Sequence, residues 1–206
     1  LGNAELALAD MPDDNTAHHN LERILTASLR AREMIQQLLS FSRKEESGRK
    51  PLRLNSVITE SLKLMRASLP TNISIERDIC TTECVTVADA TQIHQIMLNL
   101  CTNAAHAMES GGGVLTIRLD PVTLDSTAAT DMDLAPGNYA RLVVADTGHG
   151  IEKDIISRIF DPYFTTKETG KGTGMGLSVV HGIIKGSGGA IRAFSGPGRF
   201  TEFHLY

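Results

Sequence analysis

Cysteine is scarce in this 206-residue chain and odd in number: Cys80, Cys84 and Cys101 are the only three. With no CxxC spacing and no even set, neither a disulfide framework nor a zinc site is indicated. Reduced thiols of a cytoplasmic protein are expected instead. No apolar run approaches the roughly 20 residues that span a bilayer, and no signal peptide opens the chain. Lys/Arg-rich runs are missing too. A net charge of −4 therefore leaves no electrostatic footprint for nucleic acid or an anionic membrane surface. Internal repeats and low-complexity tracts are absent. The sequence opens on Leu1 rather than methionine, so it reads as a fragment whose parent is free to carry a membrane anchor.

What is present is an ordinary globular composition, 41% hydrophobic and 21% charged, in a length that suits one medium domain plus a smaller element. Residues 1–9 read as the end of a helix, and 10–15, with Pro12, as a turn. From Thr16 to about Glu46 an apolar stripe of helical period runs through Leu21, Ile24, Leu25, Leu29, Ile35, Leu38 and Leu39, as in the arm of a helical hairpin. Residues 47–51, with Gly48 and Pro51, read as a linker. From Leu52 to Tyr206 the texture is mixed. Strands are expected at 52–54, 72–79, 84–88, 113–120, 139–146, 189–195 and 200–206. Helices are expected at 55–67, 90–109 and 174–186, with two short ones around 152–160. Helices interleaved with antiparallel hairpins predict an α+β two-layer sandwich, a mixed sheet packed by helices.

Three segments carry chemistry. In the 90–109 helix, Asn99, Asn103 and His106 stand at i, i+4 and i+7, which at about 100° per residue confines them to a stripe roughly 60° wide. Amide oxygens are hard ligands suited to Mg²⁺, although a pair of asparagines also serves to satisfy nearby backbone. Straight after the apolar strand Leu142-Val143-Val144-Ala145 comes Asp146-Thr147-Gly148-His149-Gly150. A carboxylate at a strand end accepts from an exocyclic amine, and the following glycines let a flat ring approach the backbone; a simple acidic turn has the same letters. Finally, Gly170-Lys171-Gly172-Thr173-Gly174-Met175-Gly176-Leu177 runs into a helix start. Free N–H groups and the positive dipole end there suit phosphate, and a mobile surface loop is the plainer alternative. A P-loop is excluded because Thr165 stands at its first glycine and Gly172 follows Lys171. A dinucleotide GxGxxG fails because Leu177 takes the last glycine position and no strand precedes the loop.

The order of these segments, with Phe160-Asp161-Pro162-Tyr163-Phe164 between the last two, resembles the histidine-kinase ATPase family, whose ATP-binding fold is shared with gyrase and mismatch-repair ATPases. Asn99-Leu100-Cys101-Thr102-Asn103-Ala104 is similar to the N box, Asp146–Gly150 to the G1 box, Phe160–Phe164 to the F box and Gly172–Leu177 to the G2 box. The resemblance covers residues 52–206. Residues 1–46, ending in Gln37-Leu38-Leu39-Ser40-Phe41-Ser42-Arg43, resemble the later part of the dimerisation and phosphotransfer hairpin.

This resemblance implies ATP and Mg²⁺ as ligands. Asn103 would coordinate Mg²⁺, with Asn99 supporting metal and phosphates and His106 completing that stripe. Asp146 would accept from the adenine amino group, and Gly148 and Gly150 would line the base pocket. Gly172, Thr173, Gly174, Gly176 and Leu177 would wrap the phosphates, with Lys167 and Lys171 as γ-phosphate partners. Thr201 is similar to the threonine of the closing GTxF motif, although Phe200 replaces its glycine. Ala107 stands where many relatives place a base-stacking aromatic. The phosphoacceptor histidine of the family's H box would precede Leu1, and His18 and His19, at a helix start, do not match it. The implied function is a sensor histidine kinase core. It would pass the γ-phosphoryl of Mg-ATP to a histidine outside the fragment and on to an aspartate of a response-regulator receiver domain, in a homodimeric parent. Clamp ATPases of the same fold carry a general-base glutamate where Asn99 stands, so transfer is favoured over hydrolysis. A non-catalytic binding module is the remaining alternative.

Overall fold

The computed structural model describes residues 17, 18, 20, 21, 24, 48–66, 69–167 and 173–206. Residues 17, 18, 20, 21 and 24 have helical backbone, and the rest of the expected 1–46 hairpin lies outside the described residues. The chain divides into two units, and the larger, Gly48–Phe164 with Gly174–Tyr206, carries the fold set out next.

Its elements are β1 (Lys50–Arg53), α1 (Leu54–Arg66), β2 (Ile73–Ile79), β3 (Val85–Ala88), α2 (Ala90–Ala107), β4 (Gly113–Leu124), α3 (Ser126–Thr130), β5 (Gly137–Asp146), α4 (Gly176–Gly186), β6 (Ile191–Gly196) and β7 (Phe200–Leu205). Five strands form one mixed sheet in the order β2-β4-β5-β7-β6, and β1 and β3 form a separate antiparallel pair. The β2–β4 contact is parallel and the other three are antiparallel. This is the expected two-layer sandwich, with one parallel pair admitted by the crossover from β2 through β3 and α2 to β4.

The layers follow from side-chain period. Along α1 the buried set Leu54, Val57, Ile58, Ser61, Leu62 and Met65 recurs at three and four residues, a stripe of helical pitch. Along α2 it is Ile96, Met97, Leu100, Cys101, Ala104 and Ala105. In β4, Leu115, Ile117 and Leu119 are buried alternately, and they share one core with both helices and with Val144, Phe203 and Leu205. The opposite sheet face is polar, carrying Asp78 against Arg118 at 3.1 Å and Asp120 against Arg141 at 2.8 Å. Asp89 caps α2, its carboxylate accepting the Thr91 N–H at 2.8 Å.

Four segments differ from expectation. The first strand is Lys50–Arg53 rather than 52–54, so it takes in Lys50 and Pro51 from the stretch read as linker, while Leu54 already begins α1. β4 continues past 120 to Leu124 through Pro121. That proline is tolerated because β2 pairs only as far as Leu119, which leaves an open edge where no N–H is required. A short helix, α3, forms in the connection, capped by Asp125 through the Ala128 N–H at 2.8 Å. Residues 152–160 wind as successive turns rather than helices. Ile155 N–H bonds Glu152 O, Arg158 N–H bonds Ile155 O and Asp161 N–H bonds Arg158 O, each spanning three residues rather than four. Ile159 is buried and Phe160 lies against His181, so core contacts fix this looser winding.

Candidate nucleotide site

Asp146 is the last residue of β5 and lies on the helix-facing side of the sheet. In register it stands between Leu115 of β4 and Thr201 of β7, and Thr201 in turn pairs Ser195 of β6. The pairing therefore lays three polar groups, Asp146, Thr201 and Ser195, in a row across the sheet. Asp146 is only 6% exposed. Its Oδ1 accepts the Gly148 N–H at 2.9 Å, and among the described residues its other oxygen has no hydrogen-bond donor. Burial pushes this carboxyl up to about 6 from its ordinary 3.8, against smaller opposite pulls from the Gly148 N–H and His149. A half-satisfied buried carboxylate of this kind is an acceptor awaiting a donor.

The G1-type loop is locked onto the C-terminal end of α2. His149 N–H donates to Ala107 O at 3.1 Å, and Thr147 and Val114 exchange bonds of 3.2 Å and 3.0 Å. Gly148 lies so close to α2 that a Cβ there would sit 2.6 Å from Ala107 Cβ and 2.7 Å from its carbonyl carbon and oxygen. Gly150 has φ +73° and faces the Gly196 and Phe200 carbonyls, so it needs glycine on both counts. Gly148→Ala is expected to cost about 1–3 kcal/mol by overpacking against the helix, seen as a lower urea midpoint.

On α2, Asn103 is half-buried, and its amide has no hydrogen-bond partner among the described residues. Asn99 turns its Nδ2 to Gln95 O at 3.0 Å, which leaves Oδ1 directed toward the start of α4; a Cβ on Gly176 would lie 2.9 Å from it. Among the described residues no side chain caps the start of α4, whose first-turn N–H groups have no intrahelical acceptor. Gly174, at φ +66°, packs on the Tyr163 and Phe164 backbone, and Leu177 joins the core. The structure thus brings Asn99 and Gly176 together, and sets Gly148 and Gly150 beside Asp146 and Thr201. His106 is exposed and lines a concavity with Met65, Leu98, Thr102 and Glu109 rather than the Asp146 row. Lys167 and Thr173 belong to the smaller unit, where the Lys167 N–H bonds Thr165 Oγ1 at 3.2 Å. Lys171 and Gly172 lie outside the described residues.

Ser195 carries no motif, and sequence reasoning passed over it. Its hydroxyl accepts the Ile151 N–H at 2.7 Å, donates to Phe200 O at 2.7 Å and lies 3.3 Å from Thr201 Oγ1. With its own proton committed to Phe200 O, Ser195 acts toward Thr201 only as an acceptor, which fixes the threonine hydroxyl beside Asp146. Only the β6–β7 register, which single-strand patterns do not reveal, would have exposed it.

A test of metal fit gives a partial donor set. Among the described residues no group of three or more His, Cys, Asp or Glu side chains is arranged to hold a metal. The Asn103 amide oxygen suits Mg²⁺, which typically keeps water and substrate phosphate oxygens as its other ligands.

Comparison with known proteins bears on the family and the fold. A family described as histidine kinase-, DNA gyrase B- and HSP90-like ATPase matches residues 88–206, more than half of the chain. Sensor kinase CckA of Brucella abortus is 34% identical over 203 residues, 98% of this chain and 22% of that protein. Two-component sensor PprA of Pseudomonas aeruginosa is 34% identical over 182 residues, 88% of this chain and 19% of its own length. The chain therefore spans about a fifth of the length of these relatives. The solved mycobacterial sensor histidine kinase MprB aligns with a TM-score of 0.60 and 25% identity, covering 76% of this chain and 95% of that one. On the four ordered boxes, the sheet order and this match, the chain belongs to the histidine kinase-, DNA gyrase B- and HSP90-like ATPase family.

Proposed function

We propose that this chain is the ATP-binding catalytic part of a two-component sensor histidine kinase. The observation that carries the reading is the buried Asp146 carboxylate, one oxygen of which has no donor among the described residues, beside Gly148 and Gly150. It would accept from the adenine amino group, with the Thr201 hydroxyl beside it. Asn103 would hold Mg²⁺, Asn99 would support the metal and phosphates, and the α4 N-terminus with Gly172, Thr173, Gly174, Gly176 and Leu177 would receive the phosphates. Lys167 and Lys171 are proposed γ-phosphate partners. His106 is kept as an outer contact on the strength of its place one turn beyond Asn103. When bound, Mg²⁺ would neutralise phosphate charge; the chain's own contribution is to position the nucleotide and exclude alternatives.

The acceptor would be a histidine on a dimerisation hairpin of which residues 1–46 form part, and the next acceptor an aspartate of a response-regulator receiver. Relatives that are sensor kinases and two-component sensors support this. A cytoplasmic setting and a homodimeric parent belong to the same reading, and no described helix is long and apolar enough to cross a membrane.

Asn99 decides between transfer and hydrolysis. An amide cannot take a proton from water, so steady-state ATP hydrolysis is expected at least a hundredfold below the roughly 10 s⁻¹ typical of enzymes. A phosphate-release assay checks this, and ordinary turnover would favour the clamp-ATPase reading. Transfer from γ-labelled ATP to a separately supplied histidine-bearing hairpin, giving an acid-labile phosphohistidine, tests the kinase reading itself.

A further inference from the structure

The β2–β3 connection, outside the nucleotide site, sets two thiols face to face. Cys80 follows β2 and Cys84 precedes β3, both are free, and their Sγ atoms stand 3.6 Å apart. The backbone is pinned at each: the Cys80 N–H donates to Leu119 O at 2.9 Å, and Cys84 O accepts the Leu54 N–H at 2.9 Å. Asn55, in the first turn of α1, fills the loop between them. Its Nδ2 donates to Cys80 O at 2.9 Å and Thr82 O at 3.2 Å, and its Oδ1 accepts the Cys84 N–H at 2.8 Å. The sulfurs are thus held together by backbone and amide contacts before any bond joins them.

We propose that Cys80 and Cys84 are a hydroperoxide-oxidisable dithiol that closes to a disulfide across the β2–β3 connection. The two sulfurs have different roles. Cys80 is the more exposed, and its thiol donates to Thr82 O at 3.2 Å, which holds the sulfur at the open side of the loop. Cys84 is 5% exposed; burial, then the Cys80 hydrogen bond, push its thiol up to about 11. Cys80 is therefore the sulfur that meets the oxidant. Its thiolate attacks the peroxide, an S–O bond forms, the O–O bond breaks, and the leaving oxygen takes a proton. Cys84 then attacks the Cys80 sulfur and gives up its proton. The S–S bond forms, the S–O bond breaks and water leaves. Two thiols are oxidised and one hydroperoxide is reduced. Cys101, fully buried and pushed up to about 12 by burial, takes no part.

The test is mass mapping of the whole folded chain after a small excess of hydrogen peroxide, followed by unfolding in an alkylating reagent. The segment holding residues 80–84 is expected to lose two hydrogens and to resist alkylation until reduced, while Cys101 alkylates fully. In Cys84→Ser, a sulfenic acid at Cys80 is expected to be trapped by dimedone. In Cys80→Ser, oxidation at position 84 is expected to slow at least tenfold. Alkylation of all three thiols in the treated wild-type chain would overturn the proposal, as would a disulfide formed only between molecules. Equal oxidation of Cys84 with and without Cys80 would overturn the assigned order. The wild-type result alone decides whether the bond forms, whatever the variants' stability.

Discussion

Asp146→Asn is expected to abolish most of the preference for ATP over GTP and, at the same time, to stabilise the nucleotide-free protein at alkaline pH. The first effect follows from donor and acceptor. A carboxylate accepts from the adenine amine and opposes the carbonyl oxygen of guanine, whereas an asparagine amide serves either base. A lost charged contact is worth about 1–3 kcal/mol, so the ATP/GTP affinity ratio should fall by roughly 5- to 150-fold in competition titrations. The second effect follows from the raised pKa. A folded-state value of about 6 against an ordinary 3.8 means that the favourable contribution is present below about pH 4 and is lost as pH rises through about 6. At pH 8 the ionised group costs up to about 3 kcal/mol, since each unit is worth 1.36 kcal/mol. Asparagine removes that cost while still accepting the Gly148 N–H. Thermal unfolding should show the variant more stable at pH 8 and level with the wild type near pH 4. In the wild type, ATP affinity should hold above pH 7 and weaken below about 6, by up to about tenfold per unit, as the acceptor is protonated. A variant that keeps full ATP selectivity would remove Asp146 from the base pocket.

Asn103→Ala is expected to lower Mg-ATP affinity by about 10- to 100-fold and to leave binding of metal-free ATP nearly unchanged. The asymmetry separates a metal ligand from a general packing role. Stability should move by less than about 0.5 kcal/mol, because the Asn103 amide makes no hydrogen bond in the described structure and its removal orphans nothing. Calorimetric titrations with Mg²⁺ and with a chelator, alongside urea unfolding, check both halves. Equal losses in the two titrations would assign Asn103 to the nucleotide rather than to the cation.

Local chemistry made part of this site readable in the chain. Asp146 follows an apolar strand and is followed by Gly148 and Gly150, and the asparagines sit one turn apart on an apolar helix; each pattern lies within a few residues. Cross-strand facts were not readable from pattern alone. Thr201 was reached through its likeness to the closing GTxF motif, whereas Ser195 stands beside it only through the β7–β6 register, and no period along a single strand reports pairing. The same limit applies to the small β1–β3 sheet, where Lys50 and Pro51 gain a strand by pairing with Ala88 and Val87, far along the chain. In 152–160, Ile156, Ile159 and Phe160 have helical spacing, yet the chain winds with three-residue bonds, because core contacts rather than propensity set its pitch. The helix-facing stripe of α2 was legible, but that His106 lines a different concavity was not, since 60° of arc on a helix is wide enough to border two surfaces.

Calorimetric titration of the chain with a non-hydrolysable ATP analogue, in Mg²⁺ and in chelator, and with the matching GTP analogue, tests the central claim most directly. One saturable site per chain is expected, tighter with Mg²⁺ than without and at least tenfold weaker for the GTP analogue. Absence of binding to the ATP analogue in Mg²⁺, or equal affinity for both nucleotides, would contradict a base pocket built on Asp146.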